Sequence, residues 1–188
     1  MSTKRLFIAI PLPDDFINAF VAVQQECGDI SAGRWTAPEN LHITVKFLGN
    51  VASDQIPALV EAVKNVSQKT QEFTLTFKKI IYAPPEKPPR MVWATFTQSD
   101  DFTQLMQQLN DATSPFSQER DSFKEPIPHV TMARLKSPQA AKTIELIQPE
   151  LTSTNLSVTT CELIESTLSS EGSKYALVES FPFVTITS

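Results

Sequence analysis

The stretch that most limits what this chain can become is His42-Ile43-Thr44-Val45-Lys46-Phe47-Leu48-Gly49. Polar and apolar residues alternate along it, which is the period of a strand with one face on a core. The alternation predicts His42, Thr44 and Lys46 on one face, Ile43, Val45 and Phe47 on the other, and a stop at Gly49-Asn50. A second stretch, His129-Val130-Thr131-Met132-Ala133-Arg134-Leu135, again sets His and Thr two apart. The chain has 2 histidines, and each stands in the pattern His-x-Thr followed by an apolar residue.

The segments around these stretches fall into two similar series. Residues 4–11 read as a buried strand. Pro13-Asp14-Asp15 starts a helix to about Cys27, with Phe16, Ile17, Phe20 and Val23 at helical spacing. Residues 28–40 read as a loop carrying Gly33, Arg34, Trp35 and Pro38. After the first histidine strand, Ser53-Asp54 caps a helix to about Val66, and Phe73 to Tyr82 is a strand. The proline-rich turn 83–89 divides the chain. Beyond it come a strand at 90–97, a helix capped by Ser99-Asp100-Asp101, a loop at 114–128 and the second histidine strand. Ser137-Pro138 is expected to open a further helix, followed by a long strand at 155–167, a turn at 169–173, a last strand at 174–179 and a β-prone tail.

Each half therefore reads strand, helix, His-x-Thr strand, helix, strand, and the histidines lie 87 residues apart. Identity between the halves is negligible outside the motif, so architecture alone repeats. The expectation is an α+β protein of two pseudo-symmetric lobes, each a β-sheet with helices on its outer face, around a central groove that carries both motifs. Residues 1–188 are read as one two-lobed catalytic domain, with the repeat at 4–82 and 90–167 plus a C-terminal strand.

Composition narrows the chemistry. A net charge of −5 disfavours coating of long nucleic acid, yet leaves room for a local pocket for a strand end. Cys27 and Cys161 are too far apart, and too far from any histidine, for a zinc site or a disulfide framework. No apolar run approaches the roughly 20 residues of a membrane helix. The short run at 6–10 ends at Pro11 and Pro13, too soon for a signal peptide, so the chain reads as a cytoplasmic protein. With 4 glycines there is no Walker-type phosphate loop.

A histidine titrates near pH 6.5, so of two facing imidazoles one can accept a proton while the other donates one. The threonine two residues on shares the face and offers a hydroxyl to an anionic oxygen. Two such strands suit attack on a phosphodiester, most readily a strained cyclic one, with a cation to meet the developing charge. Two histidines alone fall short of the three or four ligands of a usual metal site.

The pattern resembles the two-histidine phosphoesterase superfamily, and within it the RNA 2′,3′-cyclic phosphodiesterase family, also called 2′-5′ RNA ligase. The resemblance spans nearly the whole chain: Arg5-Leu6-Phe7-Ile8-Ala9, the Trp35 loop, residues 39–49, Arg90-Met91-Val92-Trp93-Ala94, residues 128–135, and Glu165-Ser166-Thr167 with Gly172 and Tyr175. It departs at Ile164-Glu165, where the family often places a basic residue or tyrosine before the serine. The resemblance implies metal-independent hydrolysis of terminal 2′,3′-cyclic phosphates to 2′-phosphates, with no cofactor. It implies His129 as the base that activates water, His42 as the acid that protonates the departing 3′ oxygen, and Thr44 and Thr131 as holders of the phosphate oxygens. Run in reverse, such a site joins a cyclic-phosphate end to a 5′-hydroxyl through a 2′-5′ linkage. The implied partners are RNA ends or small cyclic-phosphate nucleotides, met by a monomer. Alternatives are a phosphodiesterase for small cyclic nucleotides or an ADP-ribose cyclic phosphate, and an RNA-end binding module without turnover.

Arg134 is the cation the resemblance implies, although strand parity turns a residue five positions past His129 away from the site. Lys46 has the right parity but lies four residues along. Trp35 is a candidate stacking surface for a base, with loop packing as its competing reading. Trp93 reads as core, and Arg90 is open between a surface role and a nucleic-acid role.

Overall fold

The computed structural model describes residues 2–30, 32–117, 126–169 and 172–185. Parts of the loop at 114–128, of the turn at 169–173 and of the tail therefore lie outside the described residues. Three α-helices are described: α1 (Asp14–Cys27), α2 (Ile56–Ser67) and α3 (Asp100–Thr113). The strands are β1 (Thr3–Pro11), β2 (Gly33–Trp35), β3 (His42–Ala52), β4 (Phe73–Ala83), β5 (Met91–Phe96), β6 (His129–Leu135), β7 (Asn155–Val158), β8 (Thr160–Ser169) and β9 (Gly172–Pro182). None of the described helices is long and apolar enough to cross a membrane.

The helices form where the sequence supplies both a start and an apolar stripe. Asp14 and Asp15 sit in the first turn of α1, where negative charge meets the positive end of the helix dipole. Phe16, Phe20 and Val23 are its buried face. Ser99 caps α3 by accepting a hydrogen bond from the Phe102 amide at 3.3 Å. The segment opened by Ser137-Pro138 makes only a 3₁₀ helix, Pro138–Thr143, instead of the expected α-helix. The long strand expected at 155–167 is broken at Thr159: β7 pairs with β4 and β8 with β1, so its two parts serve different places in the sheet.

All the strands join one curled sheet in the order β7-β4-β5-β6-β3-β1-β8-β9, with β2 added against β6. Every named pair is antiparallel. The order is symmetric about its centre. The two histidine strands, β6 and β3, are the middle pair; β5 and β1 flank them; β4 and β8 come next. The third strand of each half thus completes the other half's sheet. The two half-sheets meet at a single backbone pairing, Ile43 with Val130. Phe16, Phe20, Leu59, Val63, Phe102, Leu105 and Leu109 from the helices pack with Ile43 and Val130 in the core, which leaves the opposite face of the sheet open as a groove.

Two irregularities set which side chains reach that groove. The β1–β3 register slips between Ile8 and Ala9, whose partners are Lys46 and Thr44, so Val45 is an extra residue. The β5–β6 register slips between Val92 and Trp93, whose partners are Ala133 and Thr131, so Met132 is extra. Each is a β-bulge, and each reverses the facing of every residue beyond it. Lys46 therefore turns into the core, only 2% exposed, with its ammonium donating to Asn110 Oδ1 at 2.8 Å. Phe47, expected inside, is 45% exposed on the groove side. The strand also runs past Gly49 to Ala52. Gly49, with φ of 73°, stands at a further slip between Leu6 and Phe7, so it marks a bend where a stop was expected.

Candidate active site

The register at the centre of the sheet builds the site. Ile43 pairs with Val130, so the next positions in that antiparallel register set His42 across from Thr131 and Thr44 across from His129. The four side chains share the face opposite the buried Ile43 and Val130 and line a groove of about 940 Å³.

The histidines are held alike. His42 Nδ1 lies 2.7 Å from the Asn40 carbonyl oxygen, and His129 Nδ1 lies 2.8 Å from that of Ile127. A carbonyl can only accept, so each Nδ1 carries a proton and each neutral ring leaves Nε2 as the titrating atom. His42 Nε2 is 3.0 Å from Thr44 Oγ1, whose hydroxyl donates to the neutral ring.

Their surroundings differ. His42 sits among aromatic rings, with Phe7 at 5.0 Å and Tyr175 at 5.4 Å edge-on. Burial among them lowers its pKa to about 4, against the pull of the Asn40 carbonyl, and the charges of Arg134 and His129 add to the effect. His129 lies flat on Trp93, ring centroids 3.8 Å apart and planes 22° from parallel. Burial also lowers its pKa, the Ile127 carbonyl opposes that, and Arg134 adds to it. Both rings are thus neutral near pH 7 in the free protein.

The bulge at Met132 removes the parity objection to Arg134, which lines the groove. Its guanidinium has a thioether for a hydrogen-bond partner, Met91 Sδ at 3.9 Å. Phe47 stands five residues past His42 as Arg134 stands five past His129, so one wall carries a cation where its counterpart carries a ring. Trp35 touches the groove, but its indole N–H donates to the Gly28 carbonyl at 2.8 Å and its ring packs on the core. That arrangement fits the loop-packing reading better than stacking on a base. Lys46 is outside the groove. Arg90 donates through Nη1 to the Lys136 carbonyl at 3.3 Å and does not line it.

Sequence reasoning missed Trp93, Phe7 and Phe47. Trp93 is part-buried in the groove wall, where a core position was expected, and its indole nitrogen has no hydrogen-bond partner among the described residues. Its pairing with Thr131 is what puts it on this face, and that follows from the bulge, which no residue pattern announces. Among the described residues no three His, Cys, Asp or Glu side chains come together as a metal cluster.

The middle strands of the curled antiparallel sheet thus present two matched His-x-Thr faces. Residues 10–93 match the model of the LigT-like phosphoesterases. An RNA 2′,3′-cyclic phosphodiesterase of Aquifex aeolicus is 29% identical over 184 residues, covering 96% of this chain and 98% of that one. One of Archaeoglobus fulgidus is 28% identical over 149 residues, covering 78% and 82%. A crystal structure from Thermus thermophilus superposes with a TM-score of 0.81 at 24% identity, covering 97% and 100%. Escherichia coli LigT complexed with 3′-AMP does so with 0.77 at 24% identity, covering 97% and 99%. These comparisons make the chain similar to LigT-like phosphoesterases over residues 10–93, and similar in fold to LigT over nearly its whole length.

Proposed function

We propose that this protein hydrolyses the terminal 2′,3′-cyclic phosphate of RNA to a 2′-phosphate. The observation that carries the reading is the matched pair of imidazoles. Each has Nδ1–H tied to the carbonyl two residues upstream, and the two flank one groove. His129 Nε2 takes a proton from water as the water oxygen bonds to phosphorus. The P–O3′ bond breaks, and His42 Nε2–H delivers a proton to the departing 3′ oxygen. The acid and base then exchange protons with solvent to reset the pair.

The environments support this division of labour. Burial disfavours the charged form of His42, so once the phosphate has induced its protonation the ring readily gives the proton up as the negative charge moves to the departing oxygen. The face of Trp93 favours the charged form of His129, which is the form a base must become. Thr44, Thr131 and Arg134 face the charge that builds on the non-bridging oxygens. The similarity to proteins named RNA 2′,3′-cyclic phosphodiesterase supports the same substrate class. The reverse reaction, joining a cyclic-phosphate end to a 5′-hydroxyl, uses the same groups in exchanged roles.

The test is an oligonucleotide labelled at its 5′ end and carrying a 2′,3′-cyclic phosphate. The expected product bears a 2′-monophosphate, distinguished from the 3′ isomer by chromatography. A 3′-phosphate product, or no product, would overturn the proposal.

A further inference from the structure

One relationship near the groove is unfavourable unless an anion is bound. On β2, Arg34 pairs directly with Arg134 of β6. Directly opposed residues share a face, with Cβ atoms about 4.5–5.5 Å apart, and like charges there repel. Among the described residues neither arginine forms an ion pair; the described pairs are Lys4–Glu165 and Lys64–Glu61. Among the described residues both arginines line the groove, Lys87 of the proline-rich turn adds a third cation, and Glu86 is the one carboxylate that lines it. In a chain of net charge −5, composition alone does not produce such a concentration.

The arrangement is fixed by the backbone. A Cβ on Gly33 would come within 2.7 Å of both the Arg134 carbonyl oxygen and Ile30 Cγ2, so glycine is what lets β2 lie this close to β6. Thr36 N donates to the Met132 carbonyl at 2.8 Å and Lys136 N to that of Ala32 at 2.8 Å, which clamps β2 at both ends. Gln24 of α1 donates to the Thr36 carbonyl at 3.0 Å from behind. Arg34 is thus an exposed cation on a rigid strand, held one interstrand step farther from the histidines than Arg134.

We propose that Arg34, beside Arg134, forms a second phosphate subsite for the phosphodiester joining the terminal nucleotide of an RNA strand to the one before it. The proposal rests on the cyclic-phosphate reading above and extends it. Arg134 meets the reacting phosphate and Arg34 the next one along the strand, so the groove prefers a polynucleotide end to a free cyclic nucleotide.

The experiment compares kcat/KM for a 2′,3′-cyclic mononucleotide without a 5′-phosphate and for an oligonucleotide ending in a 2′,3′-cyclic phosphate. In wild type the oligonucleotide is favoured. In Arg34→Ala the ratio falls about tenfold, mainly through KM on the oligonucleotide. Lys64→Ala, on the remote face of α2, keeps the wild-type ratio. In parallel, fluorescence anisotropy follows binding of an oligonucleotide ending in a 3′-phosphate across salt concentrations. Loss of one phosphate contact lowers the slope of log K against log salt by about 0.7 in Arg34→Ala. An unchanged ratio and slope, or an equal loss on both substrates that places Arg34 at the reacting phosphate, would overturn the subsite. Failure of the wild type to turn over either substrate would overturn the functional reading instead, and the anisotropy slope would still decide the subsite.

Discussion

Trp93 supports His129 face to face, whereas His42 meets Tyr175 edge-on and Phe7 at a tilt of 33°. The parallel contact fixes the plane of the imidazole and places a negative π-face against the charge it carries after accepting a proton. Trp93→Leu removes both effects and should lower kcat/KM about 2- to 30-fold, from roughly 0.5–2 kcal/mol of lost interaction. Trp93→Phe should fall between. An unchanged pH profile and rate in Trp93→Leu would show the contact to be packing alone.

His42→Ala and His129→Ala should each cost on the order of 10²–10⁴ in rate, the scale of a positioned acid or base. The double variant should fall well short of the product of the single losses, because the two act as a unit. Thr44→Ala and Thr131→Ala should cost about 1–3 kcal/mol each, as lost hydrogen bonds to a charged group. Near-normal turnover in either folded histidine variant, checked by circular dichroism, would end the two-histidine mechanism.

Proton uptake should accompany anion binding. His42 is held neutral down to a pKa of about 4 in the free protein, and an anion in the groove raises that value. Sulfate does not itself titrate across this range, so its affinity should rise as pH falls from 8 toward 5, approaching tenfold per unit where one proton is taken up. Calorimetry in two buffers of different ionisation enthalpy reads the uptake directly. The same depression predicts that the stability His42 contributes is whole above pH 6.5 and lost as pH falls toward 4, because the unfolded chain protonates first. An affinity independent of pH would place the anion away from the histidines.

Lys46 should matter to the fold and not to catalysis. It is buried, and its ammonium bonds Asn110 on α3. Lys46→Ala opens space in the core and strips Asn110 of that donor, a loss of about 1–3 kcal/mol for the hydrogen bond alone. Thermal unfolding should report the drop, while kcat/KM of the folded fraction stays near wild type. A large catalytic loss without a shift in Tm would return Lys46 to the groove.

The alternation around each histidine was legible because it holds for two residues past the motif's start. His42 with Thr44, and His129 with Thr131, stand where a period of two puts them. Beyond Thr44 and Thr131 the rule fails, since Val45 and Met132 are bulged and nothing in an apolar residue marks it as extra. That one irregularity, occurring twice, accounts for Lys46 and Phe47 trading faces and for Arg134 reaching the site. The helix stripes of α1 and α3 were readable from Phe16 and Phe20 and from the Ser99 cap. The pairing of β8 with β1 was not, because β-pairing partners far apart in sequence leave no local signal.

That pairing has a kinetic consequence. β1 pairs with β3 within a short stretch of chain, but its other edge waits for β8, with Leu6 matched to Glu165. β4 likewise has β5 close by, then needs β7. A nascent chain that has made both histidine strands still lacks the outer strands that shield their neighbours, and long-range pairing of this kind is slow. Pulsed amide exchange during refolding should find β8 and β9 protected last. Until then the edges of β1 and β4 are open templates for any other strand, so cellular yield should be limited by aggregation during that interval more than by the stability of the finished molecule.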